Sequence, residues 1–290
     1  MGHALALVFA DGGHEVAITD PFPDVLATAK DRIVATLTML GKDEAAAARI
    51  RPWPTLAEAV KQADIVIEAA PEKLPLKQDV FEQLELHARP EALLASNTSV
   101  IPIGLIAARV KSKHRVLGTH WYNPPYLVPL VEVIQTEGTA PGTISTMMAL
   151  LKGLGKVPVH VKKDVPGFVG NRMQHALWRE AIALVDEGVC DAETIDLVVK
   201  SSFGRRLAVL GPMENADLVG LDLTLSIQEY LMPHLNRATE PTLMLRDLMA
   251  SGKQGFKTNQ GFKTWTEDEK AALRMRLAGH LKLLNKLLGP

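Results

Sequence analysis

The sequence predicts an α/β fold in which a mainly parallel, doubly wound sheet is followed by an all-α region. Short apolar runs alternate with helical segments as far as about residue 161. Several of these runs are apolar at successive positions, which is typical of strands buried on both faces. Beyond residue 164 the chain shows helical periodicity and no convincing strand. These observations together favour βαβ units followed by a helical domain.

The chain opens on an apolar segment that we predict to be helical. Residues 2–10 are almost entirely apolar, and Gly12 and Gly13 follow them as a stop signal. No basic residues precede this segment, and its apolar core is short for a signal peptide. We therefore interpret it as a helix that is already under way at the first residue.

Six strands are predicted after this helix, separated by helices. The strands are expected at residues 15–20, 63–69, 92–96, 115–120, 130–134 and 157–161. The helices between them are expected at residues 23–40, 75–88 and 102–110, with one more before the last strand. Within residues 75–88, the spacing places Leu76, Val80, Phe81 and Leu84 on one apolar face.

The pattern changes at residues 163–167, where we place a domain boundary. The predicted domains are residues 1–163 and 164–290, and helices are expected at 168–188, 191–202, 221–235 and 243–250. Thr266 and Glu269 have the spacing of a capping box, which would open a final helix. Leucines recur along that helix at three- and four-residue spacing, so this apolar stripe needs a partner within the domain or in a homodimer.

Composition limits the classes of function. The 290 residues suit two domains, and 47% hydrophobic and 22% charged residues are typical of a soluble globular chain. The 32 basic and 33 acidic residues leave a net charge of −1, which argues against a nucleic-acid partner. Cys190 is the only cysteine, so we predict no metal site and a reducing, cytoplasmic compartment. No apolar run reaches the roughly 18 residues of a membrane span.

The first strand and the helix before it carry part of a dinucleotide-binding pattern. In the Rossmann fold, three glycines form the turn between the first strand and helix, and an acid about 20 residues later binds the adenosine ribose. Gly2 lies where the third glycine belongs, and Asp20 closes the next strand. We predict NAD as the cofactor, because Asp20 would repel a 2′-phosphate. A glycine and an acid at this spacing also arise by chance.

The first strand and the first two glycines of this pattern would precede Met1. Our hypothesis is that an internal methionine has been taken as the start, or that the chain is truncated. Upstream in-frame DNA without an apolar strand and Gly-x-Gly would contradict it. If the chain is complete, the sheet lacks a central strand and the pyrophosphate loses most of its glycine turn.

Four polar side chains stand out: two at or after predicted strand ends, where ligands collect in open α/β sheets, one on the next strand, and one in the first turns of the helix after the domain boundary. They are Ser99, His120, Glu132 and Asn171. A turn through residues 123–125 would bring Glu132 beside His120, and a carboxylate that orients an imidazole makes a proton acceptor. Ser99 and Asn171 would donate hydrogen bonds to a reacting oxygen. Each residue also has a structural interpretation, as a strand-end histidine, a surface acid, a turn residue or a helix cap.

Seven motifs, in the same order and at matching spacing, resemble those of the L-3-hydroxyacyl-CoA dehydrogenase family. They lie at residues 67–77, 95–99, 118–124, 130–133, 164–172, 211–214 and 255–258. The resemblance covers nearly the whole chain and implies a Rossmann domain followed by a helical, dimer-forming domain. It implies an NAD-dependent oxidoreductase that oxidises a short L-3-hydroxyacyl-CoA, such as 3-hydroxybutyryl-CoA, in fatty acid metabolism.

The resemblance also implies a role for each matched residue. His120 would take the hydroxyl proton, Glu132 would pair with His120, and Ser99 and Asn171 would hold the substrate oxygen. Asp20 would bind the adenosine ribose. The nicotinamide half of the cofactor would be lined by Glu72, Lys77, Asn123 and Lys257.

Two departures from the family pattern concern the substrate. The loop at residues 123–130 looks like the branch that contains lambda-crystallin, an L-gulonate dehydrogenase, and like a pyridine-carboxylate dehydrogenase. Arg205 and Arg206 replace a Gly-Phe-Pro-like stretch, and an arginine can bind a free carboxylate with two parallel hydrogen bonds. The alternative interpretation of these arginines is a solvated face.

The order of substrates that the sequence favours follows from these features. Residues 212–222 and 255–262 look like the short-chain hydroxybutyryl-CoA enzymes, so we place the acyl-CoA thioester first. A free hydroxy acid or aldehyde carboxylate is the alternative. A catalytically weak structural protein of crystallin type is the second alternative, and the intact set of Ser99, His120, Glu132 and Asn171 argues against it.

Overall fold

The computed structural model describes residues 1–289 and confirms the predicted α/β architecture. The strands of this part of the chain are β1 Val16–Ile18, β2 Ile50–Pro52, β3 Ile65–Glu68, β4 Leu93–Ser96, β5 Val116–Trp121, β6 Leu130–Ile134 and β7 Val157–Val161. The α-helices are α1 Gly2–Asp11, α2 Pro23–Ala27, α3 Ala29–Leu40, α4 Leu56–Val60, α5 Leu74–His87, α6 Ile103–Ile106, α7 Pro141–Gly153, α8 Gly170–Asp186, α9 Ala192–Ser201, α10 Pro212–Val219, α11 Leu221–Leu231, α12 Leu243–Ala250 and α13 Glu267–Leu288. Among the described helices, none is both long enough and apolar enough to cross a membrane.

The strands form two separate sheets. β1 and β2 pair in parallel, and the other five strands form a sheet in the order β3-β4-β5-β6-β7. Within this second sheet only the β5–β6 pair is antiparallel. In residues 1–289 no strand lies hydrogen-bonded between β1 and β3. This arrangement agrees with the expectation of a doubly wound sheet whose first strand is absent.

Helices cover both faces of the five-stranded sheet because successive side chains of a strand point to opposite faces. In β5, Val116 packs in an apolar cluster with Phe81 of α5 and Ile103 of α6. The next residue, Leu117, packs in a second cluster with Leu5 of α1 and Met147 of α7. A third cluster joins α1 and α3 to β2. Apolar clusters therefore lie on both faces of the sheet that carries the strand-end side chains.

Several local elements differ from the sequence-based expectation. The helix predicted at 23–40 is two helices, α2 and α3, separated at Thr28, whose hydroxyl donates to the carbonyl of Asp24. β2, α4 and α10 were not predicted. β2 has only three residues and ends in proline, so it offers no apolar run to detect. The buried face of α5 carries Lys77 instead of Leu76, which is 38% exposed.

The chain divides into two compact units. The first contains residues Met1–Arg172 and the residues from Leu277 onward, and the second contains Met173–Arg276. The five-stranded sheet and β1–β2 belong to the first unit, and the described secondary structure of the second is helical. Thr266 and Glu269 form the predicted capping box, since each backbone N–H donates to the other side chain. The domain boundary at residue 163 remains a prediction.

Candidate active site

The imidazole of His120 and the carboxylate of Glu132 meet across two adjacent strands. β5 and β6 run antiparallel, and their register places His120 directly opposite Glu132. His120 Nδ1 lies 2.6 Å from Glu132 Oε2, and both residues are buried. The strands on either side of residues 123–125 therefore bring Glu132 beside His120. Side chains opposite each other in a sheet lie on the same face.

The second oxygen of Glu132 is held by the start of α8. Glu132 Oε1 accepts hydrogen bonds from the backbone N–H groups of Val169, at 2.9 Å, and Gly170, at 3.0 Å. Burial raises the pKa of the Glu132 carboxyl, but the hydrogen bonds from His120, Gly170 and Val169 outweigh it and lower the pKa below its usual value. An ionised Glu132 favours the tautomer with the proton on Nδ1, which leaves Nε2 as the acceptor nitrogen.

Ser99 lies in a loop that Glu72 holds through several bonds. Glu72 Oε1 accepts from the N–H groups of Ser99 and Val100, both at 3.3 Å, from that of Ile101 at 3.4 Å, and from the Thr98 hydroxyl. Burial raises the pKa of Glu72, but the Thr98 hydroxyl, Lys77 and these backbone donors lower it overall. Glu72 therefore shapes the loop that presents Ser99.

Asn171 joins Ser99 from the first turn of α8. Its amide Nδ2 donates to the Ser99 carbonyl at 2.8 Å. A second bond fixes the same loop, because the backbone N–H of Gly167 donates to the Val100 carbonyl at 3.1 Å. The structure thus brings together the two residues that we expect to hold the substrate oxygen.

Lys77 lies in a buried cluster of charges under the Ser99 loop. Its side chain is fully buried, and Nζ contacts Glu68 Oε1 at 2.9 Å, the Ala70 carbonyl at 3.1 Å and Glu72 Oε2 at 3.6 Å. The Ser96 hydroxyl donates to the other oxygen of Glu68 at 2.6 Å. In this arrangement Lys77 acts on the site through Glu72. A direct contact of Lys77 with the nicotinamide half remains a prediction.

The remaining predicted cofactor residues of the first unit lie on its surface. Gly2 is the first residue of α1, and Asn123 is exposed in the loop between β5 and β6. Asp20 follows β1, and its Oδ1 accepts from the Phe22 N–H at 3.0 Å. No described residue bonds to Asp20 Oδ2, so this oxygen can accept a hydrogen bond from a ribose hydroxyl. Asp20 follows a parallel strand, and Gly2 begins the helix that precedes this strand. Both positions fit binding of the adenosine half of NAD.

Three predicted ligand residues belong to the second unit. The side chains of Lys257, Arg205 and Arg206 are all exposed there. Arg205 ends a short 3₁₀ helix that begins at Phe203. Their exposure leaves all three guanidinium or ammonium groups able to bind an anion, and their ligands remain predictions.

Sequence reasoning missed three residues that support the site. Glu68 pairs with Lys77, the Tyr122 hydroxyl donates to Glu132 Oε2 at 3.3 Å, and Asp164 accepts from the N–H groups of Ile103 and Gly104. An acid at the end of a buried strand must find a partner, so Glu68 had a detectable signal. Asp164 lay within a matched motif. Nothing in the sequence indicated the direction of the Tyr122 side chain.

Comparison with known proteins gives matches over nearly the whole chain. Residues 1–165 match the family model for the NAD binding domain of 3-hydroxyacyl-CoA dehydrogenase, and residues 167–265 match the model for its C-terminal domain. A 5-formyl-3-hydroxy-2-methylpyridine 4-carboxylate 5-dehydrogenase from Mesorhizobium japonicum is 35% identical over 99% of this chain and 95% of its own. A probable 3-hydroxybutyryl-CoA dehydrogenase from Bacillus subtilis is 37% identical over 92% of this chain and 94% of its own.

A solved structure extends the likeness to the fold. The crystal structure of a 5-formyl-3-hydroxy-2-methylpyridine 4-carboxylic acid 5-dehydrogenase, described as an NAD⁺-dependent dismutase, has a TM-score of 0.92 and 35% identity. The match covers 99% of this chain and 95% of that one. The chain therefore belongs to the 3-hydroxyacyl-CoA dehydrogenase family and is an NAD-dependent oxidoreductase that acts on a CH–OH group.

Proposed function

We propose that this protein oxidises the hydroxyl-bearing carbon of a small substrate with a free carboxylate, and that His120 is the proton acceptor. The observation that carries the reaction is the contact between His120 Nδ1 and Glu132 Oε2 at 2.6 Å. It commits one ring nitrogen to the carboxylate and leaves the other for the substrate. Glu132 then stabilises the imidazolium that forms.

In this reaction the substrate loses a proton and a hydride. The hydroxyl proton goes to His120 Nε2, and the C–H bond breaks as the carbonyl forms. NAD, when bound, supplies the hydride acceptor. We assign Ser99 and Asn171 to the substrate oxygen, since the Asn171 amide is already fixed to the Ser99 backbone. Glu72 and Lys77 keep that loop in place.

The free carboxylate is supported by the relatives and by the arginines. The pyridine carboxylate dehydrogenase matches 99% of this chain, and its solved counterpart has a TM-score of 0.92. Arg205 and Arg206 are exposed in the second unit and suit bidentate carboxylate binding. The acyl-CoA thioester, which the sequence motifs rank first, becomes the second candidate. The family itself and the Bacillus subtilis relative support it, and with it a place in fatty acid metabolism.

A comparison of substrates separates the two candidates. NADH formation would be measured with L-gulonate, free 3-hydroxybutyrate and pyridine carboxylates that carry a hydroxymethyl or formyl group. The thioester would be measured through NADH consumption with acetoacetyl-CoA. We expect at least one free acid to have the higher kcat/KM. A higher kcat/KM for the thioester would favour the second candidate, and no turnover with either class would contradict the proposed reaction.

Variants of the arginines test the carboxylate contact directly. In the double variant Arg205→Gln, Arg206→Gln, we expect KM for the free acid to rise about tenfold or more, as the loss of a charge-assisted contact implies. The matched control is Arg237→Gln, which changes another exposed arginine of the second unit. An unchanged KM in the double variant would assign these arginines to a solvated face.

We also propose that the protein is a homodimer formed through the second unit. This unit exposes large apolar side chains on α10 and α11, including Met213 at 74%, Leu218 at 73% and Leu221 at 64%. Patches of this kind mark interaction surfaces. Light scattering of the purified chain gives the mass directly, and Leu221→Glu should shift a dimer towards the monomer. The cytoplasm remains the proposed compartment.

A further inference from the structure

We propose that Tyr122 is a third member of the His120–Glu132 pair, a positioning residue that limits how strongly the carboxylate holds the imidazole. This inference rests on the proposed function, because it gives Tyr122 a task in the proton acceptor. It is carried by three observations: a shared oxygen atom, the packing of two rings and a space at Gly170.

The first observation is that two donors share one carboxylate oxygen. Glu132 Oε2 lies 2.6 Å from His120 Nδ1, and the Tyr122 hydroxyl donates to the same oxygen at 3.3 Å. Glu132 Oε1 is already bonded to the N–H groups of Val169 and Gly170. The carboxylate therefore meets four donors, and the hydroxyl of Tyr122 is the one that competes directly with the imidazole.

The second observation is that the tyrosine ring packs against the imidazole. The ring centroids of Tyr122 and His120 are 4.6 Å apart, with an interplanar angle of 51°. Phe168 also packs on the imidazole, with centroids 5.7 Å apart. Two aromatic rings thus restrict the imidazole plane, so that Nε2 keeps its direction while Nδ1 stays on Glu132.

The third observation is that Gly170 leaves room for the tyrosine hydroxyl. A Cβ at residue 170 would overlap the Tyr122 hydroxyl and also crowd its ring carbon Cζ. The same glycine donates its N–H to Glu132 Oε1 at 3.0 Å. The start of α8 therefore accommodates the hydroxyl and holds the carboxylate at one residue.

Electrostatics determine the direction of the effect. A hydrogen bond from Tyr122 withdraws negative charge from Oε2, so the carboxylate stabilises a protonated imidazole less. The titratable groups in contact with the imidazole are Glu132 from β6 and Tyr122 after β5, and Phe168 adds only an uncharged ring. Burial and the Glu132 carboxylate raise the pKa of the Tyr122 hydroxyl, so the hydroxyl stays a donor across the working range. Loss of the hydroxyl should therefore keep His120 protonated to higher pH.

The test compares Tyr122→Phe with a matched control in the same loop. Tyr126→Phe removes a hydroxyl that has no hydrogen-bond partner among residues 1–289. The titration of the His120 ring signals would be followed by NMR in the full chain and assigned with His120→Gln. We expect the midpoint in Tyr122→Phe to rise by about half to one pH unit, the size of one hydrogen bond, and that in Tyr126→Phe to stay unchanged.

Kinetics and a second variant complete the test. The acid limb of the kcat/KM profile should move to higher pH by the same amount in Tyr122→Phe and stay in place in Tyr126→Phe. Gly170→Ala crowds the hydroxyl away while Tyr122 remains, so its midpoint should move in the same direction. An unchanged or lowered midpoint in folded Tyr122→Phe would overturn the inference. Because NMR needs no substrate, this outcome is distinguishable from a failure of the proposed reaction.

Discussion

Two buried clusters of titratable side chains lie on the five-stranded sheet, and they differ in how many of their polar atoms are satisfied. In the first, Lys77 Nζ is surrounded by Glu68, Glu72 and the Ala70 carbonyl, and the lysine side chain has no exposed surface. In the second, Glu132 is fully bonded, but the His120 ring uses only Nδ1 among the described residues. The Lys77 cluster is therefore complete as a scaffold, and the His120 pair is complete only when Nε2 meets a ligand.

This difference shows how buried charge can serve either stability or chemistry. Buried ions cost free energy unless partners surround them, and a saturated cluster has no capacity left for a substrate. A half-satisfied imidazole keeps the capacity to accept a proton. The two sites are connected, because Lys77 supports Glu72, which shapes the Ser99 loop beside the His120 pair. Loss of His120 should therefore affect turnover, and loss of Lys77 should affect folding.

The largest expected effect is on turnover in His120→Gln. Glutamine retains a polar side chain but cannot accept a proton at neutral pH, so kcat should fall by about 10²–10⁴-fold. The affinity for NAD, measured by fluorescence titration, should change little. His160→Gln, at an exposed position of β7, is the control and should keep full activity. Retained turnover in His120→Gln would rule out its assignment as the base.

The next effect is on stability in Lys77→Met. Removing the ammonium leaves the buried Glu68 and its neighbour Glu72 without a counter-charge, which should lower the free energy of unfolding by about 3–5 kcal/mol. Urea denaturation measures the change. Lys73→Met is the control, because Lys73 is exposed one turn earlier on the chain, and it should change stability by less than about 0.5 kcal/mol. If Lys77→Met and Lys73→Met lowered the free energy of unfolding equally, the buried cluster would contribute no more to stability than an exposed lysine.

Acid should weaken both sites through their carboxylates. The pKa values of Glu72 and Glu132 lie below the usual 4.5 in the folded protein, so the unfolded state binds protons first as pH falls. Their stabilising contribution is present above that usual value and is lost as pH falls through the folded-state values. The stability difference between the original protein and Glu72→Gln should shrink as pH drops from neutral to about 3. A difference that grows in acid would contradict the direction of the shift.

The smallest effect is expected at an exposed ion pair. Lys42 and Asp11 pair on the first unit with side chains 42% and 30% exposed. Surface pairs of this kind contribute about 0–1 kcal/mol, and salt screens them. Lys42→Gln should therefore change the urea midpoint only slightly, and the change should vanish at high salt. If Lys42→Gln lowered the free energy of unfolding as much as Lys77→Met, the exposure of an ion pair would not determine its contribution to stability.

The fold was predictable wherever the residues of a single segment showed a clear apolar run or helical periodicity. The apolar runs at Ile65–Glu68 and Leu93–Ser96 revealed strands, and α12 begins and ends at the residues that its pattern predicts. β2 escaped prediction because its three residues are strand only through pairing with β1. Phe81 and Leu84 of α5 are buried as predicted, but Leu76 is exposed and Lys77 lies in the core instead, where a lysine was not expected. Its burial depends on Glu68, which is nine positions away in sequence.

The site was predictable as a set of residue types and only partly as an arrangement. Strand ends and a short turn were enough to predict that His120 and Glu132 meet, because antiparallel pairing has few registers. The roles assigned to Ser99, Asn171 and the cofactor residues remain predictions. The support from Glu72 involves the Thr98 hydroxyl and three backbone N–H groups of the Ser99 loop. No pattern of side chains in a sequence specifies such bonds.

The sequence by itself determined the α/β class, the family and the pairing of an imidazole with a carboxylate, because these depend on local periodicity and on motifs at fixed spacing. The tertiary structure decided the two separate sheets, the burial of Lys77 and the approach of the Tyr122 hydroxyl to Glu132. Each of these depends on atoms from segments that folding brings together. Hydrogen bonds act over about 3 Å, so distance in space, and not distance along the chain, determines them.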